Sequence, residues 1–115
     1  MSLESAFGVR CEPRAGAVVV VVRGELDLDS AGSLRDALQS PEAQVPSVVL
    51  DLRAVTFIDS SGLSVVVAHH QRASSTGQRF VVAVGGAPAV QRLFDLTGLG
   101  DVIPMVQDPD VALAQ

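Results

Sequence analysis

Two adjacent hydroxyls, Ser60 and Ser61, stand between Asp59 and Gly62. An apolar β-like run, Val48-Val49-Leu50-Asp51-Leu52, precedes them across a short loop, and the segment from Ser61 reads as a helix. Asp59, Ser60 and Ser61 therefore sit at a helix start, where backbone N–H groups lack partners and the helix dipole favours negative charge. A serine in that position can be a helix cap, a nucleophile or a phosphate acceptor.

The nucleophile reading is weak. A hydrolase elbow requires Gly-x-Ser-x-Gly with a histidine base and a carboxylate later in the chain. Here the preceding glycine is missing from Ile58-Asp59-Ser60-Ser61-Gly62. The histidines, His69 and His70, lie two or more turns along the same helix, too far at about 1.5 Å per residue to reach its first turn. Each is more simply a buried or half-exposed helix residue than a catalytic or metal-binding one, since no other ligand set accompanies it. Gly85-Gly86 precedes a helix but lacks the rest of a phosphate-binding loop, and the chain contains no lysine. A tight turn before Pro88 explains it. No catalytic, cofactor or metal site is expected, and the chain does not read as an enzyme.

The acidic residues are more telling. Asp27 ends one β-like run, Asp51 lies near the end of another, and Asp59 closes the loop before the central helix. If these strands are parallel neighbours, all three fall near the C-terminal edge of the sheet, where α/β proteins place their sites. Magnesium binding is conceivable there. Taken singly, each acid is explained by capping or by satisfying loop amides. Together with Ser60-Ser61, they suggest an exposed serine in a preorganised acidic turn.

The surrounding elements must be able to hold such a turn. Phe7 to Glu12 and Ala17 to Val22, joined by Pro13-Arg14-Ala15-Gly16, read as a hairpin whose second strand is buried on both faces. A helix with Asp29 or Ser30 as cap should turn Leu34, Ala37 and Leu38 inward. Pro41 to Pro46 is a loop and Val48 to Leu52 a buried strand. Ser61 to Ser75 is β-branched at Val65-Val66-Val67, which lowers helix propensity. Its length, polar ends and Gly77 as C-cap favour a helix, and its nearly encircling apolar residues predict the most buried one.

Phe80 to Val84 is the next strand. Pro88 opens a helix with Val90, Leu93 and Phe94 on one face, and Gly98 stops it with Leu99 folding back. Val102 to Val106 is a weak strand, and Asp108-Pro109 starts a last short helix. The order β-β-α-β-α-β-α-β-α predicts an α/β fold with a mixed, mostly parallel sheet, an N-terminal hairpin and right-handed βα units. No linker or composition break interrupts it, so one domain over 1–115 is expected, its core about 7–115.

Composition sets the outer bounds. A chain of 115 residues can bury a core without staples. It has no Trp or Tyr and four Phe, too few aromatics for a base-stacking platform. A formal net charge of −5 disfavours nucleic acid and anionic lipid as partners and points to proteins or basic surfaces. Cys11 is the single cysteine, which excludes an intrachain disulfide and is read as a half-buried strand residue. No basic-then-apolar signal opens the chain, and no apolar run approaches the roughly twenty residues a membrane span needs. A soluble, cytoplasmic protein is expected.

Four blocks, in order, carry a resemblance. They are Val22-Arg23-Gly24-Glu25-Leu26-Asp27, Val48-Val49-Leu50-Asp51-Leu52, Phe57-Ile58-Asp59-Ser60-Ser61-Gly62-Leu63, and Val90 through Leu99. The chain resembles the STAS domain family, and within it the stand-alone bacterial anti-sigma factor antagonists. The resemblance implies a protein whose unphosphorylated form binds an anti-sigma factor and frees the sigma factor. It implies that the anti-sigma factor is often itself an ATP-dependent serine kinase, and that a PP2C-type phosphatase reverses its action. By position, the phosphoacceptor is Ser61. Asp59, Ser60 and Gly62 flank it, and Asp27 belongs to the partner-contacting acidic loop. The alternative is a non-phosphorylated STAS interaction module in a signalling scaffold or a lipid-transport complex.

Overall fold

The computed structural model describes residues 7–114; Met1–Ala6 and Gln115, the two ends of the expected domain span, lie outside the described residues. Strands β1 (Gly8–Arg14) and β2 (Ala17–Leu26) form the expected antiparallel hairpin. The chain then alternates α1 (Ala31–Leu38), β3 (Ser47–Ile58), α2 (Ser60–Thr76), β4 (Arg79–Ala83), α3 (Pro88–Thr97), β5 (Met105–Val106) and α4 (Pro109–Leu113). The sheet order is β1-β2-β3-β4-β5, with every pairing after the hairpin parallel.

Strand alternation assigns the two faces of the sheet. Val18, Val20 and Val22 of β2, with Val48, Leu50 and Leu52 of β3, face a core completed by Leu34 and Leu38 of α1, Val66 and Ala73 of α2, and Val90 and Phe94 of α3. Burying such a side chain contributes about 1.5–3 kcal/mol, so this layer dominates the driving force. On the other face Val19, Val49 and Val81 pack with Ala112 of α4, and Val21, Val106 and Leu113 pack partly buried against them.

Three expectations need correction. The loop between Leu52 and Asp59 is in fact strand, because β3 continues to Ile58 against a β2 that reaches Leu26. Its register against β2 shifts twice, with one extra residue on β3 each time. Each bulge breaks the period-two pattern, so the buried positions run Leu50, Leu52, Val55, Ile58 and no longer look like a strand. Helix α2 is not the most buried helix. Its buried residues, Gly62, Val66, His69 and Ala73, form a single stripe, and Ala68 is exposed. The last strand is only Met105–Val106, because Leu99–Asp101 forms a 3-10 turn and Ile103 N–H bonds Leu99 O at 2.9 Å. A second such turn, Pro41–Ala43, lies within the expected loop.

The helix stops are as expected. Gly77 ends α2 in the left-handed region at φ 78, and the N–H groups of Gly77 and Gln78 both reach Ala73 O. Gly98 ends α3 at φ 76, and Leu99 turns back, half-buried, against the core. Among the described residues, no helix is long and apolar enough to cross a membrane.

Candidate functional site

Helix α2 begins on an Asx cap. Asp59 is extended at φ −118, ψ −172, and its Oδ1 accepts the N–H groups of Ser61 at 2.9 Å and Gly62 at 3.3 Å. Its own N–H bonds the carbonyl of Leu26 at 3.2 Å. One peptide, Leu26–Asp27, thus joins the end of β2 to the start of α2.

Gly62 permits this closeness. A Cβ there would lie 2.8 Å from Leu26 O and 2.6 Å from Leu26 Cγ, so only glycine lets the first turn of the helix sit on the strand end. Ser60 is exposed and Ser61 half-buried. The Ser60 carbonyl accepts the Ser64 hydroxyl at 2.7 Å, whereas nothing among the described residues bonds the Ser61 hydroxyl.

Asp27 shapes the neighbouring loop. Its Oδ1 accepts the N–H groups of Asp29 at 3.1 Å and Ser30 at 3.2 Å, and its backbone oxygen accepts Ala31 N–H at 2.8 Å. The expected cap, Ser30, occupies the N-cap position but turns its hydroxyl backwards. That hydroxyl donates to Glu25 O at 2.7 Å and accepts Asp27 N–H at 2.9 Å. Capping of α1 has passed to Asp27, and Ser30 fixes the shape of the Asp27 turn.

The structure brings Asp27, Asp59, Ser60, Ser61 and Gly62 together at the C-terminal ends of β2 and β3. It separates Asp51 from them. Asp51 is 5% exposed in mid-β3 on the α4 face. There it binds Arg53 through both oxygens, at 3.0 Å each, and Arg53 reaches Asp108 at 3.4 Å. The Asp51 hydrogen bond, with the nearby charges of Asp51, Asp108 and Asp110, raises the Arg53 pKa despite some desolvation. This is a structural clasp onto α4, and the bulges explain the misplacement: β3 runs seven residues beyond Asp51.

The histidines serve the fold. His69 is buried, its Nε2 is 2.9 Å from Gln78 Oε1, and its ring meets Phe80 edge-on at 4.7 Å. Gln78 Nε2 donates to Ala43 O and Val45 O, both at 2.9 Å, so Oε1 must accept and His69 carries its proton on Nε2. Burial, helped by the Arg72 charge and opposed by the Gln78 bond, lowers the His69 pKa. The Cys11 thiol is pushed up by burial and by Glu42, against a hydrogen bond from Ser40, which disfavours its thiolate. Among the described residues no cluster could hold a metal ion.

Sequence reasoning missed two apolar residues at the rim. Leu28 is 77% exposed and follows Asp27, and Phe57 is 47% exposed two residues before Asp59. Leu28 left a signal, an apolar residue between two acids outside the inward stripe of α1. Phe57 left none, because its strand was hidden by the bulges.

The model for the STAS domain matches residues 9–112. The anti-sigma F factor antagonist of Paenibacillus polymyxa is 31% identical over 111 residues, covering 93% of this chain and 92% of that one. The crystal structure of an anti-sigma factor antagonist from Mycobacterium paratuberculosis superposes with a TM-score of 0.87 at 32% identity, covering 99% and 97% of the two chains. The Bacillus cell fate determinant SpoIIAA, solved in a phosphorylated form, shares the fold with a TM-score of 0.69 at 20% identity, covering 93% and 96%.

Proposed function

The chain belongs to the STAS domain family, and we propose that it acts as an anti-sigma factor antagonist switched at Ser61. Unphosphorylated, it binds an anti-sigma factor and so frees the sigma factor. The anti-sigma factor is the serine kinase that modifies Ser61, and a PP2C-type phosphatase reverses the modification. The protein works in the cytoplasm as a binding module and not as an enzyme.

The observation that carries this reading is the helix start capped by Asp59, joined to the Asp27 loop through the Leu26–Asp27 peptide and carrying a Ser61 hydroxyl that nothing among the described residues bonds. Transfer of the γ-phosphoryl group breaks a P–O bond of ATP, forms one at Ser61 Oγ and leaves ADP. The hydroxyl proton goes to a base of the kinase, so no base is needed in this chain. The phosphoserine adds about −1.5 to −2 charge at a helix N-terminus, which tolerates it. The amides of Ser61 and Gly62 are already held by Asp59, so the phosphate projects outward. Its charge then acts on the partner more than on the fold.

Incubation with ATP and the cognate anti-sigma factor, followed by intact-mass measurement and phosphopeptide mapping, tests the reading. One phosphoryl group on Ser61 is expected, lost again on treatment with the phosphatase. Modification at Ser60, Thr56 or Ser74 would refute the assignment. Binding without any modification would favour the non-phosphorylated interaction module.

A further inference from the structure

We propose that the groove between α1 and α2 seats an acidic amphipathic segment of the anti-sigma factor, an inference that rests on the antagonist reading above. The groove encloses about 480 Å³ and runs from Ser61 at its mouth to Arg72 at its far end. Those residues are eleven positions apart on one helix, about 16 Å or three turns. Leu28, Ala31, Val65 and Ala68 give the groove its apolar lining, and Leu28 stands exposed at the mouth.

Charge selects the occupant. The chain carries −5 overall and Asp29 lines this groove beside Leu28, yet its far end is marked by two exposed guanidinium groups, Arg35 and Arg72. Among the described residues neither forms an ion pair, in contrast to Arg10, Arg14 and Arg53. Among the described residues, the Arg72 guanidinium hydrogen-bonds only the His69 ring, at 3.4 Å. Two unpaired arginines beside apolar walls fit carboxylates on a segment whose apolar side chains enter the groove.

The sign of the occupant agrees with the switch. A phosphate on Ser61 stands at the mouth, about 16 Å along the helix from Arg72 and beyond the Debye length of about 8 Å at physiological salt, so it leaves the Arg72 charge in place. It repels an acidic segment entering past it, whereas a basic segment would be held more tightly by the same phosphate. An acidic occupant is therefore repelled by phosphorylation, whereas a basic one would be retained.

Isothermal titration of the full chain with its cognate anti-sigma factor, at about 50 and 300 mM salt, tests this. Arg35→Glu with Arg72→Glu should weaken binding at least tenfold at low salt, and by less at high salt. Arg92→Glu, an exposed reversal on α3, should leave affinity within about twofold. Ala68→Arg should also weaken binding at least tenfold, because it fills the groove while keeping its charge sign. Melting curves confirm that each variant is folded. Tight binding by wild type and equally tight binding by the double reversal and Ala68→Arg would overturn the inference and leave the antagonist reading standing. Absence of wild-type binding would overturn both. Sedimentation of the chain alone as a dimer that the double reversal dissociates would assign the groove to a second copy and also overturn the inference.

Discussion

Replacing Gly62 by alanine should destabilise the protein, although glycine-to-alanine changes inside helices ordinarily stabilise by up to about 1 kcal/mol. The added Cβ would stand 2.6 Å from Leu26 Cγ, 3.1 Å from Leu26 Cδ2 and 2.8 Å from Leu26 O. The leucine side chain can rotate away, but the carbonyl belongs to β2 and accepts Asp59 N–H at 3.2 Å. Relief therefore requires α2 to lift from the strand end and that bond to lengthen. Overpacking costs about 1–3 kcal/mol and a weakened hydrogen bond about 0.5–1.5. Set against the helix gain, the net loss is about 1–3 kcal/mol. At 115 residues each kcal/mol corresponds to about 4 °C, so Tm should fall by about 4–12 °C. Gly32→Ala is the matched control. Its Cβ would meet only Arg35 Nη2, the end of a flexible side chain, at 3.3 Å. That variant should hold or raise Tm by up to about 4 °C. Calorimetry on both proteins decides the matter. A Gly62→Ala variant that melts at or above wild type would refute the close-approach argument.

Ser61→Ala should still bind the anti-sigma factor, and Ser61→Asp should bind more weakly, since a closely apposed like charge costs several kcal/mol at an interface. Equal affinities by titration, with both variants folded, would show that charge at Ser61 is not the switch. Asp27→Ala should weaken partner binding while Tm stays within a few degrees, because losing a partly exposed cap costs about 0.5–2 kcal/mol; a collapsed Tm with unchanged affinity would make its role purely structural. The lowered pKa of His69 means that folding favours the neutral ring. That stabilisation is fully present above pH about 6.5, the ordinary histidine value, and is lost as pH falls from there towards the folded-state pKa. His69→Gln should therefore show a shallower fall in stability between pH 7 and 5.5 than wild type, and identical slopes would contradict the assignment.

The acidic turn and its helix were legible because capping chemistry is local. Asp59, two serines and a glycine specify a helix start without help from the rest of the chain; Gly77 marks the stop of α2, and Gly98 that of α3, in the same way. The upper half of β3 was not legible. Two extra residues opposite β2 shift the buried face from a spacing of two to a spacing of three, and no local signal announces a bulge in Arg53-Ala54-Val55-Thr56. Asp51 was misplaced for that reason. Helix α2 misled differently: apolar residues around its circumference suggested deep burial, yet it is an outer layer whose second apolar side lines the α1–α2 groove. Ser30 reads equally well as a cap or as a brace for a turn, and only the position of Glu25 O decides between them.

The Gln78 side chain, holding Ala43 O, Val45 O and His69 at once, fixes the far end of α2, as Asp59 fixes its start. A helix pinned at both ends has little freedom to slide or tilt when a group is added to its first turn. If Ser61 is phosphorylated as proposed, the signal is stored as charge on an unchanged frame, and reading, writing or erasing it requires no relaxation of the fold. The response time of such a device belongs to the enzymes that act on it. Its memory lasts as long as a phosphate ester, which in the absence of a phosphatase far outlives any motion of the backbone.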